Sequence, residues 1–258
     1  MAQWIKASDY GSEGWGFESS WAHQYKGNKI KGIEALLRWH HPVSRKIVPA
    51  QEFINELSTQ YQTHIIDEWV INQVAKDMAT INAQLSQAIP ISINLSTQEM
   101  FESALPKCIE DVFNKNNVNP RQLSIEVSEN ILAENFNKTS STIKRLDQLG
   151  VNTIIDHFGT GHLSLANLQR MPIKAIKIDS SFISNIATHY SDLQMTRAII
   201  QLAKSMDINV IAGCIETSIQ KDLLVQEGCD VLQGYHFSKP VPLRKTIEFI
   251  KQPNTYKS

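Results

Sequence analysis

The sequence predicts an α/β protein built as a modified (β/α)8 barrel of the TIM type, with one irregular or antiparallel strand. Short apolar segments alternate with amphipathic helical segments along the chain, and repeated strand–helix units require right-handed crossovers and a parallel sheet. About seven such units in a chain of this length favour a barrel over an open sheet with helices on both faces. We interpret residues 1–258 as a single domain.

The predicted strands are continuous apolar runs, which are typical of strands covered on both faces in a parallel sheet. They are Ile33–Trp39, Ile91–Leu95, Leu123–Val127, Thr153–Phe158, Ala175–Ile178, Asn209–Ala212 and Asp230–Gln233. The segment before the first strand differs, because the turn-like stretch KGNK (Lys26–Lys29) separates two extended runs. A hairpin at this point would pair two strands in antiparallel fashion.

The helical segments are indicated by apolar residues spaced three and four apart. One such pattern runs from Ile66 to Leu85. Another includes Ile199, Ile200, Ala203 and Met206, with Asp192 as the predicted N-terminal cap.

Charge and composition exclude several classes of protein. The net charge is −1, with 25 basic and 26 acidic side chains, so no basic field favours nucleic acid or an anionic membrane. The cysteines number three, and they lack the CxxC spacing of a zinc or redox site. No apolar run approaches the roughly 18–20 residues of a membrane helix. We therefore expect a cytoplasmic protein with no membrane segment and no direct contact with nucleic acid.

Polar side chains stand at the carboxyl ends of the predicted strands, or within the first of them. They are Glu34, Asn94, Glu126, Asp156, Lys177, Asp179, Glu216 and Gln233. Any one of them alone would be interpreted as a surface group where a strand meets a loop. A barrel gathers its strand ends on one rim, however, and carboxylates crowded there repel one another unless a cation joins them. Oxygen ligands of this kind suit Mg²⁺, Mn²⁺ or Ca²⁺.

Seven short motifs in order along the chain resemble the EAL-domain family. They are EALLRW (Glu34–Trp39), NLS (Asn94–Ser96), IEVSE (Ile125–Glu129), DHFGTG (Asp156–Gly161), KID (Lys177–Asp179), ET (Glu216–Thr217) and QGYHFSKPVP (Gln233–Pro242). The family consists of bacterial phosphodiesterases that open cyclic di-GMP to the linear dinucleotide pGpG. The resemblance covers about residues 15–245, and it implies a barrel whose active members hold two Mg²⁺ or Mn²⁺ ions.

The resemblance also implies roles for individual residues. The ligands of the first metal ion would be Glu34, Asn94, Glu126 and Asp156. Lys177 would orient the hydrolytic water, with Glu216 and Gln233 supporting the network of metal and water. Arg38 would contact a phosphate of cyclic di-GMP. Phe237 would lie near a guanine, although a role in the core suits this ring equally well.

The chain departs from the family pattern at three places. His157 replaces the second Asp of DDFGTG, a ligand of the second metal, and Gly213 replaces the first, catalytic Glu of AEGVET. Ser20-Trp21 aligns without gaps with the family's YQP, whose Gln helps to hold the ligand. We therefore expect one Mg²⁺ or Mn²⁺ ion and doubt a second. Imidazole could take a softer ion such as Mn²⁺, Fe²⁺ or Zn²⁺, but we favour His157 as a neutral, hydrogen-bonded side chain with no ligand role.

These departures predict a degenerate EAL domain in cyclic di-GMP signalling. It would act as a nucleotide-binding or protein-binding regulator, with little or no hydrolysis. The alternative is an active or weakly active metal-dependent phosphodiesterase that produces pGpG. No segment resembling a GGDEF, PAS or receiver domain accompanies the motifs, so the chain either stands alone or is part of a longer protein. The sequence leaves open a regulatory protein partner and a homodimer.

Overall fold

The computed structural model of the protein describes residues 15–24, 29–41, 45–54, 60–85, 87–95 and 104–251. Its strands are β1 (Trp15–Gln24), β2 (Lys29–His40), β3 (Ile47–Pro49), β4 (Ile91–Asn94), β5 (Leu123–Ser128), β6 (Asn152–Phe158), β7 (Ala175–Ile178), β8 (Asn209–Ala212), β9 (Val231–Gln233) and β10 (Val241–Pro242). Its helices are α1 (Ala50–Phe53), α2 (Gln60–Gln84), α3 (Leu105–Lys115), α4 (Glu129–Glu134), α5 (Phe136–Gln148), α6 (Leu165–Gln169), α7 (Ser180–Ser184), α8 (Tyr190–Ser205), α9 (Ser218–Gln226) and α10 (Leu243–Lys251).

Eight strands close into a barrel in the order β2-β4-β5-β6-β7-β8-β9-β1, with β1 pairing back to β2. The pairs from β2 through β9 are parallel, whereas β1 runs antiparallel to both β9 and β2. The predicted modified barrel with one antiparallel strand is confirmed. The short strands β3 and β10 add antiparallel pairs to β2 and β1.

Each predicted strand is present, with ends that differ by a few residues at most. The largest difference is at β2, which begins at Lys29 and so extends four residues before the predicted start. Lys29 pairs with Gln24 across β1 and β2, as a hairpin requires. The rest of the predicted KGNK turn lies outside the described residues.

Of the two predicted helices, one is confirmed as proposed and the other needs a correction at its start. The apolar pattern that begins at Ile66 lies in α2, which ends at Gln84, one residue before Leu85. The cap prediction was wrong: α8 begins at Tyr190 after His189, which places Asp192 in the first turn. Asp192 lies three positions after the N-cap His189, but its carboxylate is favourable beside the positive end of the helix dipole.

Alternation along the strands decides which residues form the core and which enter the barrel. In β5, Leu123, Ile125 and Val127 are buried in the apolar core, while Ser124 and Glu126 line a cavity of about 360 Å³ inside the barrel. Bulky branched residues usually fill a TIM barrel, and here Ile33, Ile154 and Ile211 line the cavity together with the smaller Gly32 and Ser92. Among the described helices, none has both the length and the apolar character needed to cross a membrane.

Candidate functional site

Two buried carboxylates share one half-buried lysine at the centre of the barrel. Lys177 Nζ on β7 donates to Glu34 Oε2 on β2 at 3.0 Å and to Glu126 Oε2 on β5 at 2.8 Å. Glu34 and Glu126 are 5% and 3% exposed, so solvent screens these ion pairs weakly. The sequence prediction that these strand ends meet at one site is correct for these three residues.

Neighbouring strands complete the hydrogen bonding of both carboxylates. Asn94 Nδ2 donates to Glu34 Oε1 at 2.9 Å, and Gln233 Nε2 donates to Glu34 Oε2 at 2.6 Å. Ser92 Oγ donates to Glu126 Oε1 at 2.6 Å. Every carboxylate oxygen of this pair therefore accepts at least one bond, which is what burial of such groups requires. We call Glu34, Asn94, Glu126, Lys177 and Gln233 the buried cluster, after its buried members Glu34, Glu126 and Gln233; Lys177 is half-buried and Asn94 is exposed.

The charges in the buried cluster do not balance. Burial raises the pKa of Glu126 to about 7, and the negative charge of Glu34 adds to this effect against the opposing charge of Lys177. Burial would also raise the pKa of Glu34, but the Lys177 charge and the hydrogen bond from Gln233 outweigh it and hold that pKa below its ordinary value. Burial disfavours the charged form of Lys177, yet Glu126 and Glu34 keep its pKa well above the ordinary value. The single Lys177 ammonium thus neutralises one carboxylate, and the second carboxylate has no cation of its own.

Asp156 and His157 stand at the carboxyl end of β6, beside the buried cluster. The backbone of His157 is left-handed, with φ 56°, and its N–H donates to Asp156 Oδ1 at 2.8 Å. The imidazole Nδ1 lies 2.9 Å from Asp179 Oδ2, and Nε2 lies 3.5 Å from Asp156 Oδ2. The imidazole is therefore held between two carboxylates, although its side chain is 58% exposed.

Asp179 is itself fixed at the start of α7. Its Oδ1 accepts the backbone N–H of Ser181 at 2.9 Å and the Ser181 hydroxyl at 2.6 Å. Partial burial would raise the pKa of Asp179, but the bonds from Ser181 and His157 outweigh it and keep this pKa below its ordinary value. Asp179 therefore presents a charged, oriented oxygen to the imidazole.

Gly213, just beyond β8, leaves a space beside Lys177. Its backbone lies outside the left-handed region, and a Cβ placed there would meet Lys177 Cε at 3.5 Å, an ordinary contact. Glu216, predicted to support the network, is exposed. Its backbone N–H donates to Gln220 Oε1 at 2.9 Å, and its carboxylate forms no hydrogen bond within the described part of the chain. We call His157 and Gly213 the altered pair.

Glu129 is a residue at this site that the sequence interpretation missed. Its buried carboxylate accepts backbone N–H groups from Gly159 at 2.8 Å, Gly161 at 3.0 Å and Leu163 at 3.2 Å. A Cβ on Gly161 would lie 2.8 Å from Glu129 Cδ, so a glycine is needed for the loop to pack here. The signal was present in the sequence, because an acid follows the IEVS strand at the first position of a helix.

The surroundings of the remaining predicted residues do not identify a ligand. Arg38 is half-buried on β2, and its Nη1 donates to the Leu37 carbonyl at 3.1 Å. Phe237 packs against the core and meets His236 edge-on, with ring centroids 5.1 Å apart. Ser20 pairs with Glu34 across β1 and β2, so the segment aligned with YQP does run beside the buried cluster. The ligand-binding roles of these residues stay predictions.

The four predicted metal ligands have the chemistry that a hard cation requires. Glu34, Asn94, Glu126 and Asp156 offer oxygen donors from adjacent strands, and the surplus negative charge around Glu126 favours a further cation. Within the described ranges, however, no three His, Cys, Asp or Glu side chains already surround a common point as metal ligands. The Lys177 ammonium lies between Glu34 and Glu126, and a cation bound there would replace its bonds.

A closed barrel with polar groups gathered at the carboxyl ends of its strands defines the class of TIM-type barrel proteins that carry their sites on this face. The chain belongs to the EAL domain family, whose model matches residues 22–240.

Two curated relatives illustrate the similarity in sequence. The chain is 36% identical over 230 residues to the signaling protein YkoW of Bacillus subtilis, with 89% of this chain covered. It is 31% identical over 223 residues to the cyclic di-GMP phosphodiesterase NbdA of Pseudomonas aeruginosa, with 86% of this chain covered. The match covers 28% of the length of each relative.

Solved structures show the same fold. The phosphodiesterase PaMucR in complex with c-di-GMP superposes with a TM-score of 0.87 at 26% identity, covering 91% of this chain and 94% of that one. The EAL enzyme Bd1971, with cAMP and cyclic-di-GMP bound, gives a TM-score of 0.87 at 32% identity, covering 92% of this chain and 65% of that one.

Proposed function

We propose that this chain is a degenerate EAL domain that binds cyclic di-GMP and hydrolyses it little or not at all, acting as a regulator in cyclic di-GMP signalling. The observation that carries the proposal is the contrast at the site. The buried cluster is assembled and fully hydrogen-bonded, whereas the altered pair lacks the two acids that the family uses beside it.

Binding of a cyclic dinucleotide is supported by the groups that remain. Arg38 stands near the carboxyl end of β2, where a guanidinium can form paired hydrogen bonds to a phosphate. The loop after β6 is fixed by Glu129. NbdA is named a cyclic di-GMP phosphodiesterase, and both PaMucR and Bd1971 have been solved with this dinucleotide bound.

Loss of hydrolysis follows from the altered pair. A positioned acid–base group is worth ~10²–10⁴ in rate, and Gly213 provides no side chain. The imidazole of His157 is engaged with Asp179 and cannot replace the negative oxygen that a second hard cation needs. These are separate losses, so little turnover should remain.

The residues fit one Mg²⁺ or Mn²⁺ ion held by Glu34, Asn94, Glu126 and Asp156. When bound, such an ion would polarise a phosphate oxygen of the ligand. Lys177 would then be free to orient a water molecule or to offset phosphate charge. A second hard ion lacks its oxygen ligand at position 157.

A second candidate function is weak, metal-dependent phosphodiesterase activity yielding pGpG. The hydrogen bonds from Lys177 and Gln233 to Glu34 support it, because these two groups could orient a water near that carboxylate. Action through a protein partner or as a homodimer is a further prediction that rests on the sequence.

Titration calorimetry with cyclic di-GMP, first with Ca²⁺ and then with Mn²⁺, tests the proposal. We expect saturable binding that weakens at least about tenfold in Arg38→Ala, since bidentate phosphate contacts are among the stronger hydrogen bonds. Arg244→Ala is the matched control, because Arg244 is an exposed arginine on α10. If cyclic di-GMP binds neither with Ca²⁺ nor with Mn²⁺, the proposal is overturned. Contacts with protein partners would then be the remaining function.

A further inference from the structure

We propose that the amino-terminal half of the barrel is a binding pocket for a small organic acid that carries a hydroxyl group. The apolar body of the acid would lie inside the barrel, with its carboxylate at the mouth. This pocket lies at the starts of the strands, whereas the candidate functional site lies at their carboxyl ends. The proposal therefore goes beyond the proposed function and requires neither cyclic di-GMP nor a metal ion.

The pocket exists because the side chains beneath the buried cluster are small. Residues two positions apart on a strand point to the same face, so the interior residues below the buried cluster are those two positions earlier on the same strands. All of them line the cavity of about 360 Å³: Gly32, Ser92, Ser124, Ala175 and Val231. Bulky branched side chains usually fill a TIM barrel at this level. Here only Val231 is branched, and a space remains.

The walls and the size of the cavity suit a small molecule with an apolar body. Ile154 and Ile211, from β6 and β8, line it together with Val231. Ligand pockets in proteins have volumes of roughly 300–1,000 Å³ and mostly apolar walls with a few polar groups. A cavity of about 360 Å³ lies at the lower end of this range, which favours a ligand about the size of one substituted ring.

Ser124 provides the polar group inside the pocket. It is only 8% exposed and lines the cavity, and its hydroxyl forms no hydrogen bond to any residue that the structure describes. The polar groups above it are already bonded, since Ser92 Oγ donates to Glu126 and Gln233 Nε2 donates to Glu34. A buried hydroxyl without a partner is costly. Ser124 therefore favours a ligand with a hydroxyl of its own.

The mouth of the pocket carries more positive than negative charge. Lys31 on β2 and Lys174 just before β7 both line the cavity, and β7 is the fourth strand from β2 around the closed barrel. The two ammonium groups thus approach the mouth from opposite sides, and neither forms an ion pair within the described ranges. The carboxylate at this mouth, Asp230, accepts the Val210 N–H at 2.8 Å. This arrangement favours an acid group at the mouth.

The experiment titrates the protein with 4-hydroxybenzoate by calorimetry, with a metal chelator and without nucleotide. Two analogues keep the ring but lack one group each: benzoate lacks the hydroxyl, and 4-hydroxybenzyl alcohol lacks the carboxylate. We expect one 4-hydroxybenzoate per chain. Benzoate should bind about three- to tenfold more weakly, as for loss of one neutral hydrogen bond. The alcohol should bind at least about tenfold more weakly, since charge-assisted hydrogen bonds are the stronger ones.

Variants assign each group of the probe to its partner. Ser124→Ala should weaken binding of 4-hydroxybenzoate about three- to tenfold and leave binding of benzoate unchanged, as a double-mutant cycle requires. The double variant Lys31→Gln with Lys174→Gln should weaken binding of both acids at least about tenfold and leave the alcohol unchanged. Lys144→Gln, at an exposed lysine on α5, is the matched control and should change nothing.

A variant that fills the pocket tests its location. Ala175→Leu places a branched side chain in the cavity and should abolish binding of all three probes, with folding checked by circular dichroism. If this variant does not fold, the serine and lysine variants decide, because both lysines are exposed. The proposal is overturned if 4-hydroxybenzoate does not bind, if folded Ala175→Leu binds it normally, or if Ser124→Ala affects both acids equally. Because nucleotide and metal are absent, failure here is distinct from failure of cyclic di-GMP binding.

Discussion

The buried cluster and the altered pair lie on the same barrel but differ in nearly every physical respect. Members of the buried cluster are joined across β2, β4, β5, β7 and β9, and both of its carboxylates are fully hydrogen-bonded. His157 is exposed with a left-handed backbone, and Gly213 has no side chain. Residues that stabilise each other in the core are costly to change one at a time, whereas residues on the rim can change with little loss of stability.

The largest effect should come from repairing the altered pair. The double variant His157→Asp with Gly213→Glu should raise pGpG formation by at least ~10²–10⁴-fold with Mg²⁺, the range expected for one positioned acid–base group. It should exceed the two single variants combined, because both groups act on one chemical step. Chromatography of pGpG provides the measurement. A double variant no faster than the better single variant would show that the altered pair is not what limits turnover.

Breaking the buried cluster should instead cost stability. Lys177→Met leaves two buried carboxylates without their shared cation, and removing one partner of a buried ion pair costs about 3–5 kcal/mol. Lys174→Met, at an exposed lysine three residues earlier, is the control. On the rim, His157→Asn should change the free energy of unfolding by less than about 1 kcal/mol. Urea unfolding measures the free energy of unfolding of these three variants. Equal losses of stability in Lys177→Met and His157→Asn would show that the two regions do not differ in their contribution to stability.

The loop between β6 and α6, which follows His157, depends on Glu129. Glu129→Gln keeps the size of the side chain but removes its charge, and hydrogen bonds to a charged group contribute about 1.5–3 kcal/mol. We expect a loss of that order in the free energy of unfolding and faster hydrogen exchange at Gly159, Gly161 and Leu163. Unchanged exchange at these three amides would contradict the role given to Glu129.

The smallest effect should be at Gly213 itself. Gly213→Ala adds a Cβ that meets Lys177 Cε at 3.5 Å, with no backbone strain, so stability should stay within about 0.5 kcal/mol or rise slightly. Gly161→Ala is the contrast, since its Cβ would lie 2.8 Å from Glu129 Cδ, and overpacking costs about 1–3 kcal/mol. Thermal unfolding compares the two. A strong loss in Gly213→Ala would mean that the glycine is required by the fold.

The sequence predicted the barrel well because the succession of strands and helices follows from periodicity. Continuous apolar runs identify strands buried on both faces, and a barrel brings the ends of distant strands together, so Glu34, Glu126 and Lys177 had to meet.

Side-chain partnerships were harder to predict because they depend on rotamers and loop geometry. The bond between His157 and Asp179 joins residues 22 positions apart, and the binding of loop amides by Glu129 joins residues at least 30 apart. The cap of α8 was missed because apolar spacing fixes the face of a helix but not its first residue.

The most direct test of the central claim measures cyclic di-GMP binding and pGpG formation in parallel on the unmutated chain with Mg²⁺. The account predicts saturable binding together with turnover that is absent, or lower by several orders of magnitude than that of an intact relative such as NbdA assayed under the same conditions. Turnover comparable to that relative would contradict the claim, because it would show that hydrolysis needs neither an acid at position 213 nor one at position 157.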